Sequence, residues 1–182
     1  MADDAIHWMR QLNDIDPSMP FMVYYVPSGT HAPHHPTPEW VEKISDLYLF
    51  DKGWNALRDT IFANQQKLGV IPRDAKLTPW PEKLLKNWDQ LTDVEKKLFI
   101  RQANVYAAYL AYTDHEIGRV VQAVQDMGKL DNTLIIYISG ANGASAEGTQ
   151  NGTPSEMLSF NGIELSAEAQ MKFYDAWGSE YT

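Results

Sequence analysis

Two apolar runs limit the folds open to this chain more than any other feature: "FMVYYV" at 21–26 and "TLIIYIS" at 133–139. Both are near-continuously apolar and rich in aromatic and β-branched residues, the pattern of a strand covered on both faces of a parallel sheet. Each leads into a polar loop, "GTHAPHHP" at 29–36 and "GANGASAEGTQNGT" at 140–153. In open α/β sheets ligands bind at the carboxyl ends of strands, where such loops begin.

The remaining periodic segments read as helices. Residues 3–13 place Ala5, Trp8, Met9 and Leu12 on one face behind Asp3 and Asp4, which suit a helix N-terminus. Trp54, Leu57, Ile61 and Leu68 form a stripe over 54–68 that stops at Gly69. Thr92 and Glu95 make a capping-box pattern opening a helix from Asp93 to Met127, with Ile117, Val120, Val121 and Val124 on its apolar face and Gly128 as its stop. Ser166 caps a last helix that carries Met171, Tyr174 and Trp177. Pro36, Pro38, Pro72, Pro79 and Pro81 make 36–92 a long irregular excursion within a single domain, 1–182. The expected fold is therefore α/β, helix-rich around a small parallel sheet. Two strands alone leave sheet edges and faces uncovered, so a homodimer is expected, with exchanged elements as one form of it.

Composition narrows the function. A formal net charge of −9 disfavours nucleic acid and anionic lipid as partners and requires a local positive site for any anionic substrate. No apolar run approaches the roughly 20 residues of a membrane span, and "MADDAIHW" lacks the basic start and apolar stretch of a signal peptide, so a cytoplasmic location is expected. The absence of cysteine leaves His, Asp, Glu and Asn for metal or acid–base work.

Three of the five histidines, His31, His34 and His35, stand in the first loop. Three neutral imidazoles could hold a zinc ion with an open water position. The plainer reading is a solvent-facing loop, since Pro33 prevents the helix that would gather the three rings on one face. In the second loop Gly143, Gly148 and Gly152 would let backbone amides approach an anion, although turn formation explains them equally. Ser145, Thr149 and Ser155 have no base beside them in sequence.

"PFMVYYVPSGTHAPHHP", "FDKGWNALRDTIFANQQKLGVIPRDAKLTP", "YTDHEIGRVVQAVQDMGKLDNTLIIYISG" and "NGASAEGTQNGT" together resemble the type I arylsulfatases of the alkaline-phosphatase superfamily, from about residue 3 to about residue 178. The resemblance implies a central segment of such an enzyme, its small sheet being part of a larger one. It implies that the formylglycine nucleophile and a metal-binding Asp pair lie upstream and a sulfate-holding Lys downstream. The 182 residues contain neither cysteine nor an S-x-P-x-R stretch. His31 matches the family histidine that contacts the sulfate ester and protonates its leaving oxygen. The family's Asp-Asn-Gly appears as "ANG", with Ala141 in place of the Asp and Asn142 retained. An amide alone is a poor ligand set for a hard cation, so the family's Ca²⁺ site is expected to be lost. In the resembled fold the long helix lies beside the sheet, where Asp114 could orient a loop histidine and His115 could add a ligand; ordinary surface polarity is the competing reading of both.

The function expected from this is a metal-dependent hydrolase of small activated phosphate esters, uncharged triesters among them, or of sulfate esters. His31, His34 and Asp114 would be its acid–base groups, and His31, His34, His35, Asn142 and His115 the ligands of Zn²⁺ or another divalent ion. The alternative is a catalytically silent remnant that folds and self-associates.

Overall fold

A computed structural model describes residues 1–140 and 148–182. Its α-helices are α1 (Ala2–Ile15), α2 (Pro38–Ser45), α3 (Gly53–Leu68), α4 (Asp93–Asp126), α5 (Glu156–Phe160) and α6 (Ala167–Gln170), with short 3-10 turns at Trp88–Gln90, Leu130–Asn132 and Met171–Ala176. None of these helices is long and apolar enough to cross a membrane.

α4 is the spine. At 1.5 Å per residue its 34 residues extend about 50 Å. Its start is fixed by the expected capping box: the Glu95 amide donates to Thr92 Oγ1 at 3.2 Å and the Thr92 amide to Glu95 Oε2 at 2.7 Å. This satisfies two donors that the first helical turn would otherwise leave without partners. Gly128, with φ +70°, carries the chain out of the helix in the left-handed conformation that glycine adopts most cheaply.

Two hydrophobic clusters form along this helix. In the first, Val41 and Ile44 of α2 pack on Val105 and Ala108, with Trp40, Phe50 and Trp177 around them. In the second, Met9 of α1 packs on Ala123 and Val124, joined by Ile6, Phe21, Val23 and Val120. The sequence places Met9 correctly, but Trp8, expected on the same face, is 45% exposed. On α3 the expected stripe is broken, because Ile61 and Leu68 face solvent. The last helix is shorter than its sequence pattern: Ser166 caps it, accepting from the Ala169 amide at 3.3 Å, but the chain tightens into a 3-10 turn after Gln170.

The parallel sheet is absent: no strand occurs among the described residues. Residues 21–26 alternate in burial, Phe21, Val23 and Tyr25 being partly covered while Met22, Tyr24 and Val26 are exposed. Residues 134–138 are exposed throughout, Leu134 and Ile138 by 85% and 86%. The physical reason for the correction is that β propensity measures how well a side chain fits a paired, half-covered surface, and it cannot supply the neighbouring backbone that makes a ladder. The α/β expectation therefore fails, and the first run, expected to be covered on both faces, is covered on one only.

If α4 carries the stability, truncation at its contacts should dominate mutational cost. Met9→Ala is expected to lower the unfolding free energy by about 2–5 kcal/mol in a urea titration, through lost burial plus the cavity left behind. Gln11→Ala on the exposed side of α1 should stay within about 0.5 kcal/mol.

Candidate active site

The histidine loop lies against the middle of α4. Tyr106, Tyr109 and Thr113 follow the i, i+3, i+7 spacing of one helix face. The Tyr106 hydroxyl lies 3.0 Å from Thr30 Oγ1, and that of Tyr109 3.5 Å from Ser28 Oγ. A Cβ on Gly29 would fall 2.2 Å from Thr113 Oγ1, so the loop reaches the helix this closely only with glycine there. The His34 ring stands edge-on to Tyr106, with centroids 5.3 Å apart and planes at 89°, and a second edge contact follows to Tyr109.

All three loop histidines have one ring nitrogen against a backbone carbonyl. His31 Nδ1 is 2.7 Å from Ala32 O, His34 Nε2 is 3.1 Å from Thr30 O, and His35 Nε2 is 3.1 Å from Thr182 O. A carbonyl only accepts, so the facing nitrogen must be the protonated one and the lone pair of each neutral ring sits on the other nitrogen. Backbone contacts of this kind fix the tautomer of metal-binding and catalytic histidines alike. Burial pushes the His34 pKa below the ordinary histidine value; the Thr30 carbonyl and the Glu156 charge oppose the shift, and His31 and His35 reinforce it. His34 thus holds a basic Nδ1 at neutral pH.

The three histidines line a cleft of about 700 Å³. Its walls include Trp54, Phe99, Tyr106 and Trp177, with Glu156 and Glu180 among its polar groups and no Lys or Arg among the described lining residues. Glu156 Oε1 and Trp177 Nε1 are buried there without a hydrogen-bond partner among the described residues. The far wall is held by Gln170, which is fully buried and whose Nε2 lies 3.1 Å from both Asn151 O and Gly152 O and 3.2 Å from Leu165 O. Gln102 adds a bond from its Nε2 to Asn151 O at 3.0 Å. Arg101 ties the end of the chain to α4 by donating to Trp177 O at 2.9 Å.

Of the expected site residues, the cleft gathers His31, His34 and His35 and leaves out Asp114 and His115. Asp114 directly follows Thr113, which faces the loop, and one residue along a helix turns a side chain by about 100°. Asp114 accordingly points elsewhere, accepting from the Tyr137 hydroxyl at 3.5 Å, while His115 packs on Trp40 with ring centroids 5.3 Å apart. Asn142, with Ala141 and Ser145, falls outside the described residues. Thr149 and Ser155 line the cleft. The tyrosine face of α4, Glu156 and Gln170 escaped the sequence reading; the Tyr106, Tyr109, Thr113 spacing was the available signal for the first of these.

Among the described residues the donor set does not fit a resident metal. No group of three or more His, Asp or Glu side chains among the described residues could hold an ion, so the three imidazoles share a cleft without converging. A loop histidine acting as a base is what this arrangement supports instead.

A helix-backed loop carrying a tautomer-fixed histidine into an aromatic cleft defines a candidate hydrolytic site, and comparison with known proteins supplies the lineage. The sulfatase family model matches residues 1–175. An uncharacterised sulfatase of Schizosaccharomyces pombe is 34% identical over 139 residues, which is 75% of this chain and 25% of that protein. An arylsulfatase of Klebsiella aerogenes is 28% identical over 140 residues, covering 75% of this chain and 28% of that enzyme. The chain belongs to the sulfatase family, and it spans about a quarter of the length of these curated relatives.

The His34 assignment has a pH signature. Its folded pKa lies below the unfolded one, so the unfolded chain binds more protons between the two values and stability falls as pH drops below about 6.5. Urea midpoints between pH 8 and 5 should fall less steeply in His34→Gln, and the His34 ring resonances should titrate below the ordinary histidine range.

Proposed function

We propose that the chain hydrolyses small activated aryl esters of sulfuric or phosphoric acid in the histidine cleft, with uncharged phosphotriesters turned over faster than sulfate monoesters. The observation that carries the reading is His34, neutral and with its lone pair on Nδ1, in an aromatic-walled cleft without a cationic residue among its described lining. Nδ1 takes a proton from water as the water attacks sulfur or phosphorus, the bond from that atom to the aryl oxygen breaks, and the aryloxide departs along the apolar wall, the proton on His34 then returning to solvent. Family membership supports the ester class. The absence of Lys and Arg from that lining supports the preference for uncharged esters, because the neighbouring cation, Arg101, is turned to the Trp177 carbonyl behind the wall.

A zinc-assisted form would use His31, His34 and His35 as ligands and requires the loop to rearrange, since these rings do not form an ion-sized set. Chelation separates the two forms. With a 4-nitrophenyl phosphotriester as substrate, His34→Ala is expected to lose about 10²–10⁴-fold in rate, and prolonged EDTA treatment should leave the wild-type rate unchanged. Loss on chelation with recovery on added Zn²⁺ would establish the metal-assisted form. Turnover that survives His34→Ala would overturn the assignment of this residue in either form.

The second reading, a chain that folds and self-associates without turnover, is favoured by the exposed faces of 22–26 and 134–138. Extended apolar backbone of this kind pairs readily with a second copy. A homodimer held through these runs should appear in sedimentation at micromolar concentration, and Tyr24→Lys together with Ile136→Lys should shift it to monomer. A monomeric wild-type protein would exclude the dimer.

A further inference from the structure

The charge pattern of the cleft is the reverse of what an anion-binding pocket needs. Glu156 and Glu180 line it, His34 is neutral, and no Lys or Arg is present among its described lining; the sequence of 141–147, "ANGASAE", contains no basic residue either. Trp54, Phe99, Tyr106 and Trp177 supply aromatic surface, whose π faces attract cations. The Glu156 carboxylate is half-buried, and its Oε1 has no hydrogen-bond donor among the described residues. The terminal torsion of a glutamate is broad, so a small rotation presents either oxygen to the cleft. A buried acceptor without a donor costs free energy that a ligand N–H can recover.

We infer that the cleft binds a small ligand carrying a protonated primary or secondary alkylamine, its nitrogen separated from an aromatic ring by at least one sp3 carbon, the ammonium donating to the Glu156 carboxylate while the ring lies against the aromatic wall. For the proposed hydrolase this names the substrate class: an aryl ester bearing an ammonium group, which makes a sulfate monoester a net-neutral zwitterion. The inference rests on the same cleft as that reading, but binding is measured without turnover, so a catalytically silent protein still tests it.

The test is calorimetric titration of the full chain at pH 7 with benzylamine, benzyl alcohol, benzoate and benzyltrimethylammonium. Benzylamine is expected to bind about tenfold more tightly than benzyl alcohol, as a charge-assisted hydrogen bond in a partly dry site allows. Benzoate should bind weakest. Glu156→Gln should erase the advantage of the amine while leaving the affinity for benzyl alcohol unchanged, a control that also reports an intact cleft. Equal affinity for amine and alcohol, tighter binding of benzoate, or an amine advantage that survives Glu156→Gln would each overturn the inference. Benzyltrimethylammonium matching benzylamine would overturn the N–H donation, since a quaternary ion has no proton to give.

Discussion

The helix Asp93–Asp126 organises the molecule because apolar contact is available along most of its length and hardly anywhere else. Val105 and Ala108 bury one set of partners, Ala123 and Val124 another, and the two clusters share no buried residue. A chain with two modest cores strung on one rod depends on that rod staying helical. The Thr92–Glu95 box at one end and Gly128 at the other secure its limits, and the packed faces of α1 and α2 supply the stability that a helix in isolation lacks. The histidine loop has its position from the same source, because it leans on Tyr106, Tyr109 and Thr113 along the stretch of α4 that carries the first core.

What the loop can do follows from backbone carbonyls rather than from side-chain clustering. Three histidines in five positions suggest a metal site on spacing alone, yet Pro33 stands between them and each ring is turned by its own contact, to Ala32, Thr30 or Thr182. Two of those contacts stay within the loop and the third reaches the end of the described chain, so each ring is held by a different carbonyl along the cleft wall. The same contacts set the tautomers. The loop therefore trades convergence for orientation, which is what a single base needs and what an ion does not.

Much of the helical structure was legible in the sequence, because capping and periodicity act locally. The limits of the long helix, the caps at Gly69, Gly128 and Ser166, and the burial of Met9 and Val124 all follow from neighbours within a few positions. The sheet was not legible, because pairing is a property of two segments and composition describes one. "TLIIYIS" satisfies every local criterion for a buried strand and lies in the open. The cleft was half legible: the loop histidines announced themselves, whereas Glu156 and Gln170 gain their roles only when α5 and α6 fold back on α4, at separations of fifty residues or more that no window detects. Asp114, placed by the resemblance beside the loop with surface polarity as the competing reading, lies one residue from the contacting face, and that step turns its side chain by about 100° toward Tyr137.

Sulfatase ancestry and a cleft without described cations are reconciled by electrostatics. A sulfate monoester brings a full negative charge into a cleft that already carries Glu156 and Glu180 on a chain of net charge −9. Each like charge beside the ligand opposes its binding, half-buried Glu156 more than solvent-exposed Glu180. For the proposed hydrolase, neutral esters would escape this repulsion, and an ester with its own ammonium group would turn part of it into attraction. Aromatic walls act in the same direction, since they favour the aryl body of any of these ligands equally and leave charge to decide among them. With hydrophobic contact uniform across the series, selectivity falls to the carboxylates and to the protonation state of His34. Burial lowers the His34 pKa, so its ring adds little positive charge to offset them at neutral pH, and the same neutrality is what the proposed base would require.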